Sequence, residues 1–110
     1  MIFPNIKPTS QKRLLQLKRN TGGEKYVSWR EYVLKRDGYR CQAGICNSEE
    51  RLQVHHIFTY AKYPHLRYIT LNGITLCESC HRKTFGKEEL FAIAYSKRAS
   101  LNDELFDKKY

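Results

Sequence analysis

Apolar residues recur at helical spacing in two stretches of the chain and alternate in two shorter ones. In SWREYVLKRDG, Trp29, Tyr32, Val33 and Arg36 share one helical face. Ser28 followed three residues later by Glu31 has the form of a capping box, and Gly38 suits the left-handed position after a last turn, so a helix is expected over residues 29–37. Further on, Leu52 inward, Gln53 outward and Val54 inward read as a strand that ends at His55 and His56, and Ile74 to Leu76 read as a second strand leading into Cys77. Cys80 and His81 then open a polar stretch suited to a helix. The expected unit is strand, long loop, strand, helix.

Beyond Gly86, a cap for that helix, Leu90, Ile93 and Ala94 at helical spacing with Lys97 and Arg98 near the end give a second long helix over residues 87–98. Its apolar stripe reads as the lid on the core, with a dimer face as the alternative. Ser100 caps a last short helix that frays. At the other end Pro4, Pro8 and Gly22-Gly23 punctuate the chain, and SQKRLLQLKRN between them reads either as a short helix capped by Ser10 or as an arm that orders on a partner.

A chain of 110 residues is expected to be one domain, divided into a basic arm (1–27), a core (28–86) and a helical C-terminal segment (87–110). A domain of this size buries only about two thirds of its unfolded surface, so an added staple is expected. The net charge of +9 is concentrated at the start: residues 1–40 hold ten Lys or Arg against three acids, and residues 87–110 are balanced. Lys12, Arg13, Lys18 and Arg19 in the arm and Lys35, Arg36 and Arg40 along the first helix become candidates for binding a polyanion. A merely solvated basic face is the bland reading. Residues 1–8 lack the long apolar run of a signal peptide and no stretch approaches a membrane span, so a cytoplasmic location, in a bacterium or phage-infected host, is expected.

That setting bears on the cysteines. Cys41 and Cys46 are separated by four residues, Cys77 and Cys80 by two, and the pairs lie thirty residues apart. Two tight turns that each present two sulfurs suit one tetrahedral structural Zn2+ better than disulfides in a reducing compartment. With four thiolates on the zinc, His81 beside Cys80 is free for other work. His55 and His56 are adjacent on a strand and therefore point to opposite sides, so one can face a metal while the other faces something else.

Residues 41–83 resemble the HNH endonuclease family, whose ββα-metal motif is named for a histidine, an asparagine and a histidine in this order. The matching residues are His56 in VHHI, Asn72 in LNGITLC and His81 in CESCH, with the two cysteine knuckles matching the zinc-bearing subgroup. The helix in SWREYVLKRDGYRCQ is similar to the one that precedes the first knuckle there, which extends the resemblance over about residues 28–85. It implies an α+β fold: a ββα-metal core stapled by zinc and flanked by helices. It also implies that His56 is the general base, that His55 and His81 hold the catalytic divalent ion, and that Asn72 holds the inter-strand loop so that the base is aimed. The four-residue first knuckle is longer than the family's usual two, and the loop over residues 58–71 is idiosyncratic. Small free-standing members of the family are often phage or mobile-element enzymes.

The chemistry is consistent without the name. Phosphodiester hydrolysis needs a base that works near neutral pH, which an imidazole is, and a divalent ion to stabilise phosphate charge. Two neutral imidazoles form a softer site than carboxylates, so Mn2+, Ni2+ or Co2+ can serve alongside Mg2+. Arg82 and Lys83 are candidates to clamp the phosphate, with solvated helix charges as the alternative. Trp29 heads an apolar stripe and reads as a core anchor. His65 reads as a surface loop residue, and Tyr60, Tyr63 and Tyr68 either stack on splayed bases or cover the small core. The expected function is metal-dependent cleavage of DNA to 5' phosphate and 3' hydroxyl ends, with DNA as the partner and no small-molecule cofactor. The alternatives are a zinc-dependent nucleic-acid-binding module without catalysis and a zinc-bridged scaffold for protein contacts, the latter leaving the histidines and Asn72 unexplained. Target sequence, nicking or double-strand cleavage, and oligomeric state are not written in the pattern.

Overall fold

The computed structural model describes residues 23–109, with side chains as far as Phe106. Lys12, Arg13, Lys18, Arg19 and the helix expected around them lie outside the described residues. The elements run α1 (Glu24–Arg36), β1 (Leu52–His56), single 3-10 turns at Pro64–Leu66 and Thr70–Asn72, β2 (Gly73–Cys77), α2 (Glu78–Lys83) and α3 (Glu88–Lys109). The order strand, loop, strand, helix is the expected one. β1 and β2 pair antiparallel, with Leu52 opposite Cys77, Val54 opposite Thr75, His55 opposite Ile74 and His56 opposite Gly73.

Because side chains alternate along a strand, the hairpin has two working faces. Gln53 and His55 share one face with Ile74 and Leu76, and there the core of Ile57, Ile74, Leu76, Ala92, Tyr95 and Ala99 forms with α3. Val54 lies on the other face and packs with Trp29, Val33 and Leu34 of α1. Gly73 makes that second packing possible: a Cβ there would stand 2.7 Å from the Trp29 ring and 2.8 Å from Val33 Cγ2. Across β2 from His56, the missing side chain is the space into which the indole fits.

Both long helices depart from the sequence expectation at one end, and α3 departs also in the face it buries: Leu90, Ile93 and Ala94, expected to cover the core, are exposed, and Ala92, Tyr95 and Ala99 cover it instead. α1 starts five residues earlier than the expected Trp29, after Gly23 at φ 72°, with Val27 N–H bonded to Gly23 O at 3.2 Å and Glu24 placed favourably in the first turn. Ser28 is thus inside the helix and forms no cap. The other end is as expected: Gly38 at φ 68° carries the left-handed step, Gly38 N–H bonds Lys35 O and Tyr39 N–H bonds Leu34 O, the paired bonds of a Schellman ending. α3 does not stop near residue 98 and restart at Ser100 but runs on through 22 residues. Its second half is tied down by Ala99 in the core, by Asn102 to Asp37 and Gln42, by Tyr32 O–H to Asp103, and by an edge contact between Tyr32 and Phe106.

Arg36 is not a surface cation. It is fully buried, pairs with Asp37 at 2.8 Å, and donates to the carbonyls of Thr70 and Gly73 at 2.9 and 2.7 Å. Asp37 accepts from Thr75 N–H and Asn102 as well as from Arg36, so the pair has partners for its charges in every direction that counts. Removing one partner of such a pair costs several kcal/mol, roughly 3–5, because the other is left uncompensated. The pair fixes the end of α1 to β2, and Arg36 leaves the set of nucleic-acid candidates.

Candidate metal and catalytic site

The four cysteine sulfurs come together although they reach the site from separate parts of the chain. All lie within 4.8 Å of one another, and Cys46 Sγ stands 3.8 Å from Cys77 Sγ. A tetrahedral zinc with Zn–S of about 2.3 Å requires sulfur-to-sulfur edges of roughly 3.8 Å, so the donor set fits and could hold a metal such as zinc. The longer first knuckle closes through Gly44 at φ 54° and a bond from Cys46 N–H to Ala43 O. Cys77 ends β2 and caps α2, where its sulfur accepts from Cys80 N–H; that bond and the surrounding sulfurs pull its thiol down to about 7, towards the thiolate a metal needs. Burial pushes the Cys41 and Cys80 thiols up.

Next to this staple, β1 and α2 bring His55 and His81 together, with ring centroids 5.3 Å apart. His55 is 5 % exposed, and its Nε2 is buried with no hydrogen-bond partner. Desolvation, with the neighbouring His81 and His56 adding to it, lowers its pKa to about 4. Burial also lowers that of His81, partly opposed by Glu88. Both rings are consequently neutral near pH 7, the form that donates a lone pair to a metal. His81 Nδ1–H donates to Gln53 Oε1, which leaves Nε2 of His81 as the lone-pair nitrogen. Gln53 is therefore not turned to solvent: it orients a candidate ligand. The sequence signal was the two-residue spacing from Gln53 to His55, which puts both on one face of β1.

His56, the next residue, directs its side chain to the opposite face of β1. Its Nε2 stands 3.0 Å from the carbonyl of Arg67. A carbonyl can only accept, so Nε2 carries the hydrogen and Nδ1 keeps the lone pair. The ring stacks on Trp29 with centroids 4.2 Å apart and planes 16° off parallel, and Tyr60 meets it edge-on. Burial lowers the pKa of His56, with the bond to Arg67 O acting against it.

Asn72 binds the loop between the strands. It is 4 % exposed, donates to the carbonyls of Phe58 and Leu66 at 3.0 and 3.1 Å, and accepts from Phe58 N–H at 2.7 Å, while its own carbonyl takes Ile57 N–H. Both its amide ends are used on the segment that follows His56. The remaining basic candidates among the described residues are exposed: Lys35 and Lys83 stand at the surface, Arg40 pairs with Glu49 and Arg82 with Glu78. His65 is exposed in the loop beside Tyr63, and Arg67 lies over the Tyr60 ring.

Comparison with protein-family models matches residues 41–84 to the family described as HNH endonuclease. Comparisons with curated proteins and with solved structures give no match. The matched span takes in both knuckles, the antiparallel strand pair, the Asn72 loop and the helix bearing His81. Residues 41–84 are thus similar to the HNH endonuclease family over the part of the chain that carries the cysteine cluster and the strand pair, with α1 and α3 packed against it from outside the matched span.

Proposed function

We propose that the protein is a metal-dependent DNA endonuclease that hydrolyses phosphodiester bonds and leaves a 5' phosphate and a 3' hydroxyl. The observation that carries this reading is the His55–His81 pair: two neutral rings 5.3 Å apart, one with an orphaned buried Nε2 and the other with its Nε2 freed by Gln53. A purely structural histidine pair would be expected to satisfy that nitrogen. His55 and His81 would hold a divalent ion, Mg2+ or Mn2+, Ni2+ or Co2+, which when bound supplies Lewis-acid stabilisation of phosphate charge.

The chain's own residues do the rest. His56 takes the proton of the attacking water on Nδ1, and its Nε2–H bond to Arg67 O stabilises the positive charge that the ring then carries. Asn72 keeps the segment after His56 from swinging away, so the base stays aimed. Arg82 and Lys83, exposed on the helix that carries His81, meet phosphate oxygens, while Lys35, Arg40 and the basic arm hold the backbone on either side. The four-cysteine site, loaded with zinc, holds strand and helix in place and takes no part in the reaction.

Supercoiled plasmid incubated with the protein and each of the four divalent ions tests the reading. Conversion to nicked or linear DNA that a ligase can reseal is the expected result. Plasmid that is bound but left intact with every ion would make this a non-catalytic nucleic-acid-binding module.

A further inference from the structure

Trp29 lies outside residues 41–84, and the chemistry described above makes no use of it. Its indole is nonetheless nearer to the His56 ring than Tyr60 or Tyr26 is, at 4.2 Å between centroids and 16° from parallel, against 5.5 and 6.5 Å. The indole is itself fixed on three sides. Nε1–H donates to Ile69 O at 2.8 Å, and the side-chain-free Gly73 and Val33 of α1 close round the ring. Ile69 in turn accepts Asn72 N–H, and Arg67, which accepts His56 Nε2–H, lies two residues before Ile69. Ring and indole are thus bonded to one short stretch of loop.

We propose that Trp29 is a positioning residue for His56, setting the plane of the imidazole and so the direction in which Nδ1 points. The proposal rests on the reading of His56 as general base. A histidine's second side-chain torsion is broad, and one hydrogen bond at Nε2 leaves the ring free to turn about that bond. A flat partner in parallel contact removes this freedom in a way that an aliphatic side chain of similar bulk does not. General-base catalysis is sensitive to such an angle, since a displacement of about 1 Å can cost about 100-fold.

The test uses the zinc-loaded full chain as wild type, Trp29→Leu and Trp29→Phe. Trp29→Leu should lower kcat for plasmid cleavage by roughly 10- to 100-fold, with KM for DNA and the half-saturating concentration of Mn2+ unchanged. Trp29→Phe, which keeps a flat face, should recover most of the loss. Long-range 1H–15N spectra of the histidine rings should show a single Nε2–H form of His56 in wild type and Trp29→Phe, and a mixture of both tautomers in Trp29→Leu.

A folded Trp29→Leu with wild-type kcat and a single tautomer overturns the proposal, as does a Trp29→Phe no better than Trp29→Leu. If Trp29→Leu does not fold, a folded Trp29→Phe decides alone: wild-type kcat with mixed His56 tautomers refutes the assignment. The spectra read His56 whether or not DNA is cut, so a wild type that cleaves nothing sinks the nuclease reading while the tautomers still judge Trp29.

Discussion

At His55, the alternation of β1 and the cover supplied by α2 and α3 combine to bury an imidazole whose Nε2 finds no partner. One residue on, the same alternation sends His56 to α1, where a carbonyl and an indole define its orientation. The consequence for acid stability has a definite sign. The folded pKa of His55 is about 4 against an ordinary 6.5, so between these values the unfolded chain takes up a proton that the folded chain excludes. Its contribution to stability is complete above pH 6.5 and is lost as the pH falls towards 4, by roughly 3 kcal/mol at most. Denaturant titrations of zinc-loaded protein between pH 7 and pH 5 should show this slope reduced in His55→Gln. Equal slopes in the two proteins would mean that His55 is not buried as described. The histidines, Asn72 and the cysteines were legible as residue types at particular spacings. Trp29 was legible as a core anchor, though not its stacking on His56. Gln53 and Arg36 were not legible, because what each does depends on a partner brought from 28 and 37 positions away: the His81 ring and the Gly73 carbonyl.

Elements in this protein are short where the metal site is and long where the packing is. α2 has six residues and β1 and β2 five each, too few to be stable alone, so the cysteine pair at the β2–α2 junction and the knuckle over residues 41–46 must be held by something stronger than hairpin and helix propensity. A zinc held by the four cysteines would then contribute folding energy. Metal analysis should find one zinc per chain in protein purified without chelator, and Cys77→Ser should lose it together with most of the cooperative unfolding transition. A Cys77→Ser chain that unfolds at the wild-type midpoint would show that the staple is dispensable. The strand pair and the knuckles could be read from the sequence because local pattern and metal spacing point the same way. The ends of α1 and α3 could not. The Ser28–Glu31 pair is a valid cap in isolation, but Gly23 starts the helix earlier and turns Ser28 into an interior residue. α3 continues past Ser100 because Ala99, Asn102, Asp103 and Phe106 find partners on other elements, which no local signal announces.

Taken together, the described residues form a two-stranded sheet between α1, which packs against His56, and a pair of helices that cover a candidate metal site, in a chain whose net charge of +9 is concentrated in residues 1–40. No helix among the described residues is long and apolar enough to cross a membrane. With Arg36 withdrawn into the core, the charge available for phosphate contacts shifts towards the arm and the exposed Lys35, Arg40, Arg82 and Lys83. DNA affinity should therefore fall steeply with salt, as each neutralised phosphate releases counterions, and deletion of residues 1–22, which leaves α1 intact, should flatten that dependence. An unchanged salt slope in the shortened chain would place the binding face elsewhere.

The most direct measurement is plasmid cleavage across a range of Mn2+ concentrations by wild type, His56→Ala and His81→Ala, each confirmed to be folded and zinc-loaded. The division of labour between the two faces of β1 requires different failures. His56→Ala should be slower by about 100-fold or more at every concentration, because general-base assistance contributes roughly 10^2 to 10^4 in rate and metal cannot replace it. His81→Ala should be equally impaired at low Mn2+ but partly restored at high Mn2+, because what it has lost is affinity for the ion. Cleavage by His56→Ala at the wild-type rate, or its recovery with added Mn2+, would contradict the assignment of base and ligand to opposite faces of the strand.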